Sequence, residues 1–79
     1  MVSEFNHISG KQIAAARVLL GLGQVELADM SKISAPTLRR MEAATGELPG
    51  MRNNIAAVIA ALESAGIEFI EGGVRKRAT

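Results

Sequence analysis

Residues 24–42 read QVELADMSKISAPTLRRME, a run whose apolar spacing is helical but which carries Ser34 and Pro36 in its middle and Arg39 and Arg40 just beyond. A proline inside a helix removes a hydrogen bond and clashes with the preceding turn. In the first turn it costs nothing, because that backbone donor has no intrahelical partner anyway. Ser34 is a preferred N-cap residue, so Pro36 starts a helix rather than breaking one, and that helix runs from Ser34 to Ala44. Upstream, Gly23 opens a short helix. Glu26 lies in its first turn, where the macrodipole favours negative charge, Leu27 and Ala28 face inward, and it ends near Met30 or Ser31. Only Ser31, Lys32 and Ile33 then remain as a connection, which demands a tight turn and a steep crossing of the two helices.

Placing successive residues ~100° apart puts Leu38, Met41 and Glu42 on one side of the later helix. Pro36, Arg40 and Ala43 fall opposite, with Arg39 at the edge. A helix facing only solvent is normally richer in Glu, Lys and Gln. The outward spine here is short, apolar at its start and armed with one central arginine, as suits a surface that slides against something.

Working outward, Ser9 and Gln12 fit a capping box, and Ile13, Ala16, Arg17 and Leu20 recur at helical spacing until Gly21. Residues 45–50, with Gly46, Pro49 and Gly50, read as a loop. A fourth helix spans about Met51 to Ala65, aligns Ile55, Val58, Ile59 and Leu62, and stops at Gly66. Its other face carries Ala57, Ala60, Ala61 and Ser64, which fits packing on both sides or plain helix propensity. Residues 67–71, IEFIE, have strand character. Gly72 with Gly73 permits a two-residue turn into Val74–Ala78 that sets Glu68 opposite Arg77. A lone hairpin is marginal in water and needs a helix or a further strand, expected here from a second copy of the chain through Ile67, Phe69 and Ile70. The expected organisation is a loose arm at residues 1–8, a helical domain at 9–66, and a C-terminal strand with a basic tail at 67–79 serving dimerisation.

The 79 residues make one domain with a marginal core. There is no Cys, so disulfides and thiolate chemistry are excluded. The opening MVSEFNHISGK lacks the apolar stretch of a secretory signal, and the longest apolar run, Ile55–Leu62, is far short of a membrane span, so a soluble cytoplasmic protein is expected. The net charge of +1 hides an asymmetry: Arg75, Lys76 and Arg77 supply three of the nine basic residues, leaving six basic against eight acidic in residues 1–74. A second basic excess lies at Lys32, Arg39 and Arg40, with no acid between Asp29 and Glu42. Phe5 and Phe69 are the only aromatics, too few for a single-strand stacking platform. His7 stands alone, so no metal site is expected, and no cofactor. With no phosphate-cradling glycine loop and no paired carboxylates on a shared face, an enzyme is not expected.

Gln24, Leu27, Ala28, Ile33, Ser34, Thr37, Leu38 and Glu42, with Arg17 seven places before the glutamine, resemble the phage-repressor family (Cro and lambda repressor-like, or Xre) of helix-turn-helix regulators. The resemblance covers roughly Gln12 to Leu62. It implies an all-α, lambda repressor-like bundle of four to five helices with a short C-terminal strand or hairpin, binding double-stranded DNA as a homodimer with Ser34–Ala44 as recognition helix. Two departures stand out. Lys32 occupies the place where the family usually has Gly, requiring a non-Gly residue in a left-handed conformation at ~1 kcal/mol. Gly46 comes late after Glu42, which points to a longer third helix.

The resemblance makes Arg17 and Glu42 a structural ion pair; otherwise they are two unrelated surface charges. Gln24, at a helix start, can turn its amide and nearby backbone N–H groups toward a phosphate, or be a solvated first-turn residue. In the major groove, Arg40 is placed for a bidentate contact to guanine O6 and N7, Ala35 and Pro36 for a thymine methyl, and Thr37 and Arg39 for phosphate, with Ser34 at the helix start. Arg52 and Asn53 begin the fourth helix after a glycine, a second phosphate position. Arg75–Arg77 either clamp the backbone or are solvated. The expected function is a sequence-specific regulator, by default a repressor, reading a near-palindromic operator as a homodimer. The alternative is a protein-interaction module, such as an antitoxin-like partner, using the Ala-rich face of the fourth helix and the IEFI strand.

Overall fold

In the computed structural model, which describes residues 8–78, two of the four helices begin at a serine whose hydroxyl accepts from a first-turn backbone donor. Helix α1 (Gly10–Leu19) opens on a full capping box. The Ser9 hydroxyl accepts from the Gln12 N–H at 3.1 Å, and the Gln12 Oε1 accepts from the Ser9 N–H at 2.8 Å. Helix α2 (Gln24–Ser31) starts after Gly23, whose N–H donates to the Glu26 carboxylate at 2.7 Å. Helix α3 (Ala35–Ala43) is capped by the Ser34 hydroxyl, which accepts from the Thr37 N–H at 3.2 Å with Pro36 in the first turn. Helix α4 (Arg52–Ser64) follows Met51, which offers no side-chain cap.

The turn from α2 to α3 is made at Lys32, which holds a left-handed conformation (φ 60°, ψ 40°). That geometry lets the Ile33 N–H reach back to the Ala28 carbonyl at 3.0 Å, closing the end of α2. Glycine would adopt it freely; lysine does so at ~1 kcal/mol. The third helix is not extended, contrary to what the late Gly46 suggested. Ala44 leaves the helix with an extended backbone (φ −66°, ψ 138°). The last buried residue of α3 is Met41, and the following loop is drawn away so that Leu48 can pack against the core.

Strands β1 (Ile67–Ile70) and β2 (Gly73–Lys76) form an antiparallel hairpin. Its register corrects the expected one: Glu68 faces Arg75, not Arg77, and the turn is Glu71–Gly72, with Gly72 at φ +75°. The observed pairing sets Phe69 against Val74, so both apolar side chains share the core face. The alternative would have put Phe69 opposite a lysine. Register follows the buried face, and the glycines permit either turn.

The core joins all four helices and the hairpin through Ile13, Ala16, Leu27, Ala28, Leu38, Met41, Val58, Leu62, Ile67 and Phe69. The hairpin packs on α1 and α4 of its own chain, which supplies the support a two-stranded sheet needs. Residues 67–78 therefore belong to the domain and are not an appendage to it. Ile67 is fully buried and Phe69 is 3 % exposed, so neither is available to a second copy; of the three proposed dimerisation residues only Ile70 reaches the surface. Ile8, assigned to the arm, also packs against the core; residues 1–7 of that arm lie outside the described residues. The result is a small, mostly helical domain of four helices and one hairpin.

Candidate nucleic-acid interface

Helix α3 buries Leu38 and Met41 and turns Pro36, Arg39, Arg40 and Ala43 to solvent, while Ala35 and Thr37 are half-buried. The division follows its spacing: one apolar side chain per turn faces α1 and α2, and the arginines are carried to the opposite side. Among the described residues the ion pairs are Arg17–Glu42 and Arg75–Glu68, so neither Arg39 nor Arg40 is neutralised by a carboxylate there. Arg40 donates from Nη2 to the Thr37 hydroxyl at 3.4 Å, and that hydroxyl lies 2.7 Å from the Ser34 hydroxyl. The start of α3 thus presents Ser34, Ala35, Pro36 and Thr37 next to two unpaired cations.

A polar knot holds α3 in place behind this face. Arg17, on α1, grips Glu42, on α3, with two bonds: Nε to Oε2 at 2.7 Å and Nη2 to Oε1 at 3.0 Å. The Arg17 Nη1 donates to the Leu22 carbonyl at 3.0 Å, fastening the α1–α2 connection as well. The side chains retain only 17 % and 6 % of their exposure, and the Glu42 hydrogen bond holds the Arg17 guanidinium above its ordinary pKa. Desolvation offsets much of the attraction in such a pair, so its value lies in orientation, and removal of one partner is what costs most.

Gln24 joins the same knot. Its Nε2 donates to Glu42 Oε1 at 2.9 Å, so the amide pictured as turning to a phosphate is engaged inside the protein. One amide proton, the side-chain oxygen and the first-turn backbone donors of α2 remain for an outside ligand.

The basic tail is spent differently from its sequence picture. Arg75 donates to Glu68 at 2.8 Å across the hairpin, and Arg75 in turn holds the Glu68 carboxyl below its ordinary pKa. Arg77 donates to the carbonyls of Glu63, in the last turn of α4, at 3.0 Å and of Ile67, at the start of β1, at 3.3 Å. Lys76 is exposed and makes no salt bridge among the described residues. At the other end of α4, Arg52 and Asn53 are exposed beside the uncapped first turn.

Three features had little sequence signal. Its spacing from Ser9 marks Gln12 as a cap, yet its Nε2 also donates to the carbonyls of Ile70 at 2.8 Å and Gly73 at 3.0 Å, tying the hairpin turn to α1. Gly10 lies so close to α3 that an added Cβ would sit 2.1 Å from the Met41 carbonyl oxygen. An open apolar trough lined by Ala14, Ala15, Val18, Leu19 and Val74 runs between α1 and β2, with Val18 65 % exposed. Its only trace in the sequence is a first helix without a strongly polar outer face.

No group of His, Asp and Glu side chains among the described residues could hold a metal ion; His7 lies outside them. No helix is long and apolar enough to cross a membrane. No protein-family model matches the chain, and no curated protein matches it at a significant level.

Proposed function

We propose that this protein is a sequence-specific, double-stranded-DNA-binding transcriptional regulator, by default a repressor, of lambda repressor-like helix-turn-helix type. One observation carries the reading: the outward face of α3, with Arg39 and Arg40 exposed and without carboxylate partners among the described residues, stands beyond a tight turn from α2. A helix presented in this way matches the width of the major groove, and Arg40 supplies the fork that reads guanine O6 and N7. Ala35 and Pro36 offer apolar contact to a thymine methyl. Arg39, Ser34, the remaining donors of Gln24 and the start of α4 at Arg52 and Asn53 serve the phosphates on either side.

A homodimer would set two such helices about one DNA turn, ~34 Å, apart on a near-palindromic site. Self-association must use surface other than Ile67 and Phe69, which the core consumes. Selection of bound duplexes from a random pool, with affinities measured across salt concentrations, tests the reading. The expected result is an enriched sequence with two related half-sites separated by ~10 base pairs and an affinity that falls steeply with salt. No enrichment and no salt-sensitive binding would overturn it. The apolar trough between α1 and β2 favours a second reading, a protein-interaction module, which predicts that latter outcome.

A further inference from the structure

Arg39 and Arg40 are adjacent, both exposed and both without a carboxylate, yet only Arg40 is steered. Its Nη2 donates to the Thr37 hydroxyl at 3.4 Å, whereas Arg39 makes no side-chain hydrogen bond among the described residues. Thr37 is itself anchored, because its N–H donates to the Ser34 hydroxyl at 3.2 Å and the two hydroxyl oxygens are 2.7 Å apart. Resting on the assignment of α3 to the major groove, we propose that Thr37 is a positioning residue. Its hydroxyl holds the Arg40 guanidinium in the orientation that reads a base, and with Ser34 it couples that orientation to a phosphate contact.

Three physical points support this. A free arginine spreads over many rotamers, and a partner that selects one of them lowers the entropic cost of forming a two-pronged contact. The partner here is neutral, so it orients the cation without cancelling its charge; a carboxylate at the same place would do both. The third point is a count of protons. The two hydroxyls have two protons between them, and the Ser34–Thr37 bond uses one, whichever oxygen donates. Arg40 and the Thr37 N–H supply their own hydrogens. One hydroxyl proton is therefore left unspent at the exposed start of α3, where a phosphate oxygen is its natural acceptor. Binding of that phosphate polarises the same pair of hydroxyls that receives Arg40.

The test uses the full chain, a duplex enriched from a random pool by the wild type, and the single-base variants of that duplex. Arg40→Ala first identifies the base pair whose preference depends on Arg40. Thr37→Val, which keeps shape and branching but removes the hydroxyl, should then lose about 5-fold of the discrimination at that base pair, while preferences elsewhere in the site stay unchanged. Thr37→Ser should restore most of it, and Thr37→Val combined with Arg40→Ala should discriminate no worse there than Arg40→Ala alone. Melting curves confirm folding; should Thr37→Val fail to fold, Thr37→Ala takes its place. Discrimination within about 2-fold of wild type, or a loss of affinity equal for every duplex, would overturn the positioning role while leaving α3 as the reading helix. A wild type that enriches no duplex would overturn that assignment of α3, and the Thr37 role with it.

Discussion

Replacing Gln12 by Met should detach the hairpin from α1 at nearly constant side-chain volume. The native amide makes three bonds: Oε1 accepts from the Ser9 N–H at 2.8 Å, and Nε2 donates to the Ile70 and Gly73 carbonyls at 2.8 and 3.0 Å. Each such bond contributes ~1 kcal/mol net, and the Ile70 and Gly73 carbonyls stay within the paired hairpin, so the loss of the three bonds themselves sets the scale. The expected loss is about 2–3 kcal/mol, or ~10–20 °C in melting temperature for a domain of this size. Urea and thermal unfolding followed by circular dichroism measure it, with an unchanged urea slope indicating that the same surface is exposed. Gln12→Glu sharpens the test. An ionised carboxylate keeps the acceptor for Ser9 but faces two carbonyl oxygens, so its folded-state pKa must rise above the unfolded value. Its deficit relative to wild type is then complete above the folded value and shrinks as pH falls through it, since the protonated acid regains one donor. A loss below about 0.5 kcal/mol for Gln12→Met, or a Gln12→Glu deficit independent of pH, would refute the assigned role.

Gly10→Ala places a Cβ 2.1 Å from the Met41 carbonyl and 2.9 Å from that of Glu42, so the two helices must separate; a loss of about 1–3 kcal/mol in urea unfolding is expected. Lys32→Gly relieves the left-handed strain at φ 60° and should raise stability by up to ~1 kcal/mol, reduced by the greater freedom glycine gives the unfolded chain. Glu42→Gln, measured in the same way, leaves Arg17 without its carboxylate and should cost about 1–3 kcal/mol, less than for a fully buried pair because Arg17 keeps 17 % of its exposure. Glu68 has its pKa lowered by the Arg75 hydrogen bond, so its contribution is present above the ordinary carboxylate value and lost as pH falls through the depressed one. Glu68→Gln should therefore flatten the acid limb of a stability–pH curve slightly, and added salt should erase the difference.

The sequence was most informative where structure is set by neighbours along the chain. Ser9 with Gln12 and Ser34 with Pro36 act within one helical turn, so their side-chain chemistry alone locates the starts of α1 and α3. The inward placement of Leu38 and Met41 follows from helical period, whereas the left-handed Lys32 was expected only from the resemblance, whose pattern has Gly at that place. What was missed depends on residues far apart in sequence. Whether the hairpin turns at Glu71–Gly72 or at Gly72–Gly73 is decided by which pairing sets Val74 beside Phe69 over α1 and α4, a tertiary condition that two adjacent glycines do not encode. Gln12 could not be seen as a tether, nor Gly10 as a contact, before the hairpin and α3 were placed beside α1. The burial of Ile67 and Phe69 within the monomer was missed for the same reason: an apolar strand looks alike whether its own helices or a second chain cover it.

The placement of Glu42 links the stability of the domain to the field it projects. It is the sole carboxylate of α3, and a glutamate left free on this helix would offset one of the two arginines within the ~8 Å over which charges act at physiological salt. Instead it lies on the inward side with 6 % of its side chain exposed, and Arg17 meets both of its oxygens. Its charge is thereby spent inside the protein, while Arg39 and Arg40 keep theirs at the surface. The same carboxylate holds Gln24 at the start of α2, so one buried group fixes α1, α2 and α3 relative to one another. For a helix proposed to enter a groove lined with phosphates, this arrangement serves both needs at once: the backbone is braced by charge, and the outward face stays positive because that bracing charge is turned away from it.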